Sequence, residues 1–203
     1  MNYCAYCADL PPDNPHRRYH DHEYGFPLAD DNRLFERLVL EINQAGLSWE
    51  TILRKADNLH RAYNSFDIAT IAAYGEADTA RLLADPGIIR NRLKINASIK
   101  NARIIRQLQA EHGSFRAWLD AQTAPDKAAW VKLFKKTFTF TGGEITGEFL
   151  MSSGYLPGAH QPDCPFTRAS SPPARVGWCG QATQHWTRRT WRKKYRRNAG
   201  IFL

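Results

Sequence analysis

Cys4 and Cys7 form a C-x2-C pair at the start of the chain, and His160 and Cys164 form an H-x3-C pair far downstream, with His20 and His22 between them. Thiolates and imidazoles at such spacings suit zinc, which takes four tetrahedral Cys/His ligands in a closed structural site. Six donors exceed four, so spacing alone leaves the ligand set open. A second group centres on Glu41. Leu34, Leu38, Glu41, Ile42 and Ala45 fall at i, i+4, i+7, i+8 and i+11, one face of a helix, so the carboxylate is directed toward the core. A buried unpaired charge is costly, so a carboxyl there must be hydrogen-bonded, paired or reserved for a ligand. Tyr19, Tyr24 and Trp49 with Glu41 would make an electron-rich pocket suited to a flat cationic ring, because aromatic faces attract positive charge and a carboxylate accepts from ring amines.

These groups need elements to hold them. Periodicity and punctuation predict an all-α fold. The first 30 residues read as loop, because Pro11-Pro12-Asp13-Asn14-Pro15 resists regular structure. A helix runs from an Asp30-Asp31 cap to about Ala45 and stops at Gly46. Ser48 caps the next helix, to about Asn58. Short helices are expected after Phe66-Asp67 and from Glu76 to Leu83, a long one from Asn91 to His112, and others near Phe115 to Ala121, Lys127 to Lys136 and Glu144 to Ser153. Phe138-Thr139-Phe140-Thr141 alternates like a strand. Asp85-Pro86-Gly87 makes a tight turn between two helices, with Arg90, Arg92 and Lys94 close behind. A helical hairpin placed against a phosphate backbone uses this geometry, and so do hairpins that merely pack.

Charge separates the chain into two parts. The 203 residues carry a formal net charge of +8, but nine of the 28 Lys/Arg lie after Cys164, where no Asp or Glu occurs. Residues 1–164 hold 19 basic against 20 acidic residues and form the expected folded domain. Residues 165–203 are expected to form a basic, flexible tail in which Trp186, Trp191 and Tyr195 alternate with Arg and Lys, as in nucleic-acid backbone binders or in a merely solvated chain end. No apolar run reaches the length of a membrane span and the N-terminus carries no secretory signal, so a cytoplasmic protein is expected.

Taken together, Tyr19-His20-Asp21-x-Glu23-Tyr24-Gly25-x-Pro27, Leu34-Phe35-Glu36, Leu40-Glu41, Gln44-Ala45-Gly46-Leu47-Ser48-Trp49, Gly87-Ile88-Ile89-Arg90-x-Arg92-x-Lys94-Ile95 and His160-x3-Cys164 resemble, in order and spacing, the 3-methyladenine DNA glycosylase I family. The resemblance covers most of residues 1–164. It implies a helix-hairpin-helix glycosylase fold and a structural zinc on Cys4, His20, His160 and Cys164, joining the N-terminal loop to the end of the fold. It implies Glu41 as the group that reads the adenine edge, with Tyr19 and Trp49 stacking on the base. The Gly46-Leu47 turn would supply the wedge that enters the duplex, and Gly87, Ile88, Ile89, Arg90, Arg92 and Lys94 the hairpin on its backbone. The sequence departs from the family where His16 replaces a pocket tyrosine, Tyr24 a tryptophan and Leu93 a glycine. Glu144 and Glu148 also add carboxylates to a more neutral segment.

The partner this implies is double-stranded DNA containing alkylated bases, and a monomer is the default for a protein that wraps a single lesion. No Asp or Glu occurs between Asp85 and Glu111, so no carboxylate past the hairpin is available to stabilise an oxocarbenium-like sugar. The reaction would then rely on a leaving group that is already cationic. Two other classes fit the same residues: a non-catalytic binder of alkylated DNA, and a zinc-stabilised enzyme acting on free modified nucleobases.

Overall fold

The computed structural model describes residues 2–167, and every regular element among them is helical. The all-α expectation holds. The basic segment that follows Thr167, with Cys179 and the interleaved Trp and Arg residues, lies outside the described residues. The chain divides into two compact units, one made of Met1–Pro27, Gln44–Arg54 and the chain from Leu150, the other of Leu28–Asn43 and Lys55–Phe149.

In the first unit the predicted N-terminal loop is instead two short helices, α1 (Tyr3–Ala8) and α2 (Pro15–His22). Each begins on an asparagine cap. Asn2 Oδ1 accepts from Ala5 N at 2.8 Å, and Asn14 Oδ1 accepts from His16 N at 2.9 Å. Pro15 occupies the first helical position, where its missing N–H costs nothing. The proline-rich stretch is therefore the connector and start signal of α2. Gly25 N donates to Ser152 O at 2.9 Å, which ties the N-terminal segment to the chain beyond residue 150. At Gly154, φ is +76° and a Cβ would lie 3.1 Å from Gly25 O, so this close approach requires glycine.

The remaining helices are α3 (Asp31–Gln44), α4 (Trp49–Ala62), α5 (Ile68–Ala72), α6 (Glu76–Ala84), α7 (Arg92–His112), α8 (Phe115–Asp120), α9 (Lys127–Thr137) and α10 (Gly143–Ser152). They begin where short polar side chains satisfy free backbone N–H groups: Ser48, Asp67, Asn91, Ser114 and Asp126 each accept from the residue three positions on. In the second unit α7 packs on α5, α6 and α8, burying Ile95, Ile99, Ala102 and Ile105.

Two expectations need correction here. Helix α3 does not bury one face only, since every residue from Leu34 to Asn43 is buried, Glu36, Arg37, Glu41 and Asn43 included. Its polar groups are matched locally where the contacts are defined: Glu36 pairs with Arg33 at 2.9 Å and His60 at 3.3 Å, and Asn43 Nδ2 donates to Val39 O at 2.8 Å. Residues 138–141 form no strand. Phe140 has φ +65°, which breaks the alternation, and the Asn101 side-chain amide takes the part of a neighbouring strand. Its Nδ2 donates to Thr139 O at 3.0 Å and its Oδ1 accepts from Thr139 N at 2.8 Å.

Asp31 links two distant parts of the second unit. Its carboxylate accepts from Gln109 Nε2 at 2.7 Å, Phe115 N at 2.8 Å and Arg116 N at 3.0 Å. Asp31→Ala removes this cap from α8 and leaves two backbone donors to be rehydrated. It should cost about 2 kcal/mol in urea denaturation; an unchanged midpoint would show that water replaces the carboxylate without loss.

Candidate functional site

Cys4, His20, His160 and Cys164 converge in the first unit, with their four ligand atoms all within 4.8 Å of one another. Cys4 comes from α1, His20 from α2, and the other two from the segment after α10. His160 Nδ1 lies 3.2 Å from His20 Nε2, 3.3 Å from Cys164 Sγ and 3.8 Å from Cys4 Sγ, and Cys164 Sγ lies 3.7 Å from His20 Nε2. Around a tetrahedral zinc, bond lengths near 2.0 Å to nitrogen and 2.3 Å to sulfur give ligand–ligand edges of about 3.3–3.8 Å. These four edges fit that ion, and the remaining two pairs lie within 4.8 Å.

Hydrogen bonds set the tautomers to match. His160 Nε2 faces the Tyr24 carbonyl at 2.7 Å and must donate to it, which leaves Nδ1 of the neutral ring as a lone pair aimed at the cluster. His20 Nδ1 faces Asp21 Oδ1 at 2.6 Å, so its Nε2 is likewise directed inward, and Arg17 holds Asp21 in turn. Two imidazole lone pairs pointed at one place repel each other unless a cation lies between them. A carboxylate behind a ligating histidine is the usual outer support of such a site. Burial lowers the His160 pKa, favouring the neutral, ligating form. Burial also pushes the Cys4 thiol up to about 12, so a metal must displace a proton from it.

The structure leaves out the other two candidate donors. Cys7 is fully buried and its Sγ points at the His16 carbonyl, 3.6 Å away, while His22 is exposed. Asp21 is a contributor that the sequence reading did not single out; its position next to His20 was the available signal.

An aromatic cluster adjoins the donors within the same unit. Tyr19, Tyr24, Trp49 and His16 are all buried. Tyr19 lies 5.0 Å from Trp49 and 5.6 Å from Tyr24 between ring centroids, at tilted angles. Such pairs contribute about 0.5–1.5 kcal/mol beyond simple burial. His16 Nδ1 meets Tyr3 OH at 3.2 Å, and burial lowers its pKa to about 4, which keeps the ring neutral at physiological pH. Gly46 is exposed at φ +84°, a conformation that favours glycine, and Leu47 beside it is half-buried with its N–H on Gln44 O at 2.8 Å.

Glu41 belongs to the second unit, on α3, and is 1% exposed. The turn between α6 and α7 is in that unit too: Ile88 is buried, Gly87 and Ile89 are half-buried, and Arg90 and Arg92 are exposed. Lys94 turns inward, 5% exposed, and donates to Asn43 O at 2.8 Å.

An all-helical chain that gathers two thiols and two imidazoles beside a buried aromatic cluster has the frame of a helical protein with a metal-type Cys/His centre. The particular family follows from comparison. The chain belongs to the methyladenine glycosylase family, whose sequence pattern matches residues 10–168. DNA-3-methyladenine glycosylase 1 of Escherichia coli is 35% identical, over 74% of this chain and 90% of its own length. DNA-3-methyladenine glycosylase of Haemophilus influenzae is 33% identical, over 72% and 89%. The structure of 3-methyladenine DNA glycosylase I from Staphylococcus aureus, solved for its recognition of 3-methyladenine, is similar at a TM-score of 0.71 and 29% identity. It covers 86% of this chain and 100% of that one.

Replacing Cys164 by Ser removes one thiolate from the cluster. Metal analysis should find about one zinc per wild-type chain and little in the variant, with at least one proton released per zinc bound and tighter binding as pH rises. Full metal content in Cys164→Ser would reassign the ligands.

Proposed function

We propose that this protein starts base excision repair by releasing 3-methyladenine from alkylated DNA. It is a DNA-3-methyladenine glycosylase, a hydrolase acting on the N-glycosyl bond. The observation that carries this is the match to curated enzymes of that name, a third or more identical along about nine-tenths of their own length.

In the mechanism we propose, the target nucleotide leaves the duplex and Glu41 reads the extruded base. Tyr19 and Trp49 stack on the base, with Tyr24 and His16 as further base-binding residues. The Glu41 carboxylate accepts hydrogen bonds from the purine's amino and ring-nitrogen edge. What supports this role is its near-complete burial on α3, because a water-excluded carboxylate interacts strongly with a cationic ring. A 3-methylated adenine is positively charged while attached and neutral once released, so bond cleavage removes charge from the leaving group. Water supplies the nucleophile. Binding energy spent on extruding and orienting an already activated base suffices where no acid lies between Asp85 and Glu111.

The finer assignments complete the proposal. The α6–turn–α7 segment acts as a helix-hairpin-helix on the phosphate backbone, through Gly87, Ile88, Ile89, Arg90 and Arg92. Lys94 supports it from within through Asn43, and Leu47 on Gly46 is the wedge. Cys4, His20, His160 and Cys164 would hold a structural zinc, which would neutralise the thiolates and fix the segments that carry Tyr19 and Tyr24. The protein works as a cytoplasmic monomer, with residues 1–164 as its glycosylase domain and the basic tail as an accessory. No helix among the described residues is long and apolar enough to cross a membrane.

Glu41→Gln should keep the fold and reduce release of 3-methyladenine from methylated duplex by about a hundredfold, as losses of one electrostatic group in an active site typically do. Wild-type rates in that variant would remove Glu41 from the chemistry. DNA binding with no base released by wild-type protein would make it a damage binder instead.

A further inference from the structure

The sequence places three basic residues, Arg90, Arg92 and Lys94, behind the α6–α7 turn, but the structure turns Lys94 inward to Asn43 O. A different lysine comes to the turn from far away in sequence. Lys55, on α4, extends Nζ to Pro86 O at 3.2 Å and Gly87 O at 2.9 Å. Asn58, nearly one helical turn along, adds Nδ2 to Gly87 O at 3.3 Å. On the other side of the turn Asp85 Oδ1 accepts from Gly87 N at 2.7 Å. A Cβ at residue 87 would lie 2.9 Å from that oxygen and 3.3 Å from the Asn58 amide, so both side chains would have to shift to admit one.

Electrostatics gives this arrangement a consequence. Two main-chain carbonyls gathered at a turn present partial negative charge and repel a phosphate. An ammonium seated on both reverses the sign of the local field. Lys55 is only half-buried, and none of its contacts among the described residues is with a carboxylate, so its positive charge is not cancelled by an ion pair. Two of its three N–H groups serve the carbonyls, and the third is available for an outside acceptor. Exposed Arg90 and Arg92 follow the same turn, and the one ion pair at Arg92 is a loose 3.9 Å contact with an exposed Glu76.

We propose that Lys55 is a phosphate-binding residue: it organises the α6–α7 turn through the Pro86 and Gly87 carbonyls and contacts a backbone phosphate of duplex DNA alongside Arg90 and Arg92. This rests on the proposed action on DNA. Lys55 thereby supplies the third charge at the turn that Lys94 does not.

The test uses the full-length chain and a duplex carrying one tetrahydrofuran abasic-site analogue, with affinity measured by fluorescence anisotropy over a series of KCl concentrations. One phosphate contact contributes about 0.9 to the slope of log affinity against log salt. K55Q should lose about that amount, K55R should keep the wild-type slope, and N58A, which weakens the brace but keeps the charge, should also keep it. Affinity for free 3-methyladenine should be equal in K55Q and wild type. In the wild-type protein, saturating duplex should protect Lys55 from an amine-acylating reagent, a readout that needs no variant to fold. An unchanged slope in K55Q, or labelling of Lys55 undiminished by duplex, overturns the assignment. Salt-dependent duplex binding by wild type, with no 3-methyladenine released from a methylated duplex, would defeat the glycosylase reading and leave Lys55 to be judged on the slope. No duplex binding at all would defeat both.

Discussion

The convergence of Cys4, His20, His160 and Cys164 is the contact on which the first unit depends. It joins α1 and α2 to chain more than a hundred residues later, and the rings around it are packed onto it. Tyr24 and Phe166 each face the His160 ring, at 5.9 and 6.0 Å. The Tyr24 carbonyl accepts from His160, so the backbone of an aromatic-cluster residue is also an outer support of the donor site. Anything that opens the donors therefore releases Tyr24, and through it the Tyr19 and Trp49 rings. Two helices of six and eight residues are too short to hold such a geometry by their own propensity.

The second unit meets a different constraint, the burial of several polar side chains on one helix. Helix α3 carries Glu36, Arg37, Glu41 and Asn43 in a fully buried stretch, and Lys94 is buried against its C-terminal end. Replacing such groups with apolar ones is often neutral or stabilising in proteins. Their presence is therefore poorly explained by stability, and the proposed role of Glu41 in reading the base would account for that one carboxylate. Burial lowers the pKa of Lys94, the expected consequence of seating an ammonium among apolar neighbours.

Much of this was legible in sequence because caps and breakers are local. Asp67, Asn91, Ser114 and Asp126 mark helix starts, and Gly113 ends α7 at φ +85°. The chemistry of the donor set was legible as a surplus of thiols and imidazoles, and the family resemblance implied the four that the structure brings together. What escaped depends on contacts between distant residues. Helices α1 and α2 are too short to show a period, and the Asn14 cap of α2 was hidden by flanking prolines. The Asn101 amide that substitutes for a strand at Thr139 has no sequence signal. Neither does Lys55, whose acceptors lie 31 and 32 positions away. The inward turn of Lys94 was hidden by the basic residues around it, which read as one surface.

The most direct measurement is chromatography of the small molecules released when the purified wild-type protein is incubated with duplex DNA treated with a methylating agent. The account predicts free 3-methyladenine, matched one for one by new abasic sites in the DNA. Methylated duplex recovered with its 3-methyladenine intact would contradict it.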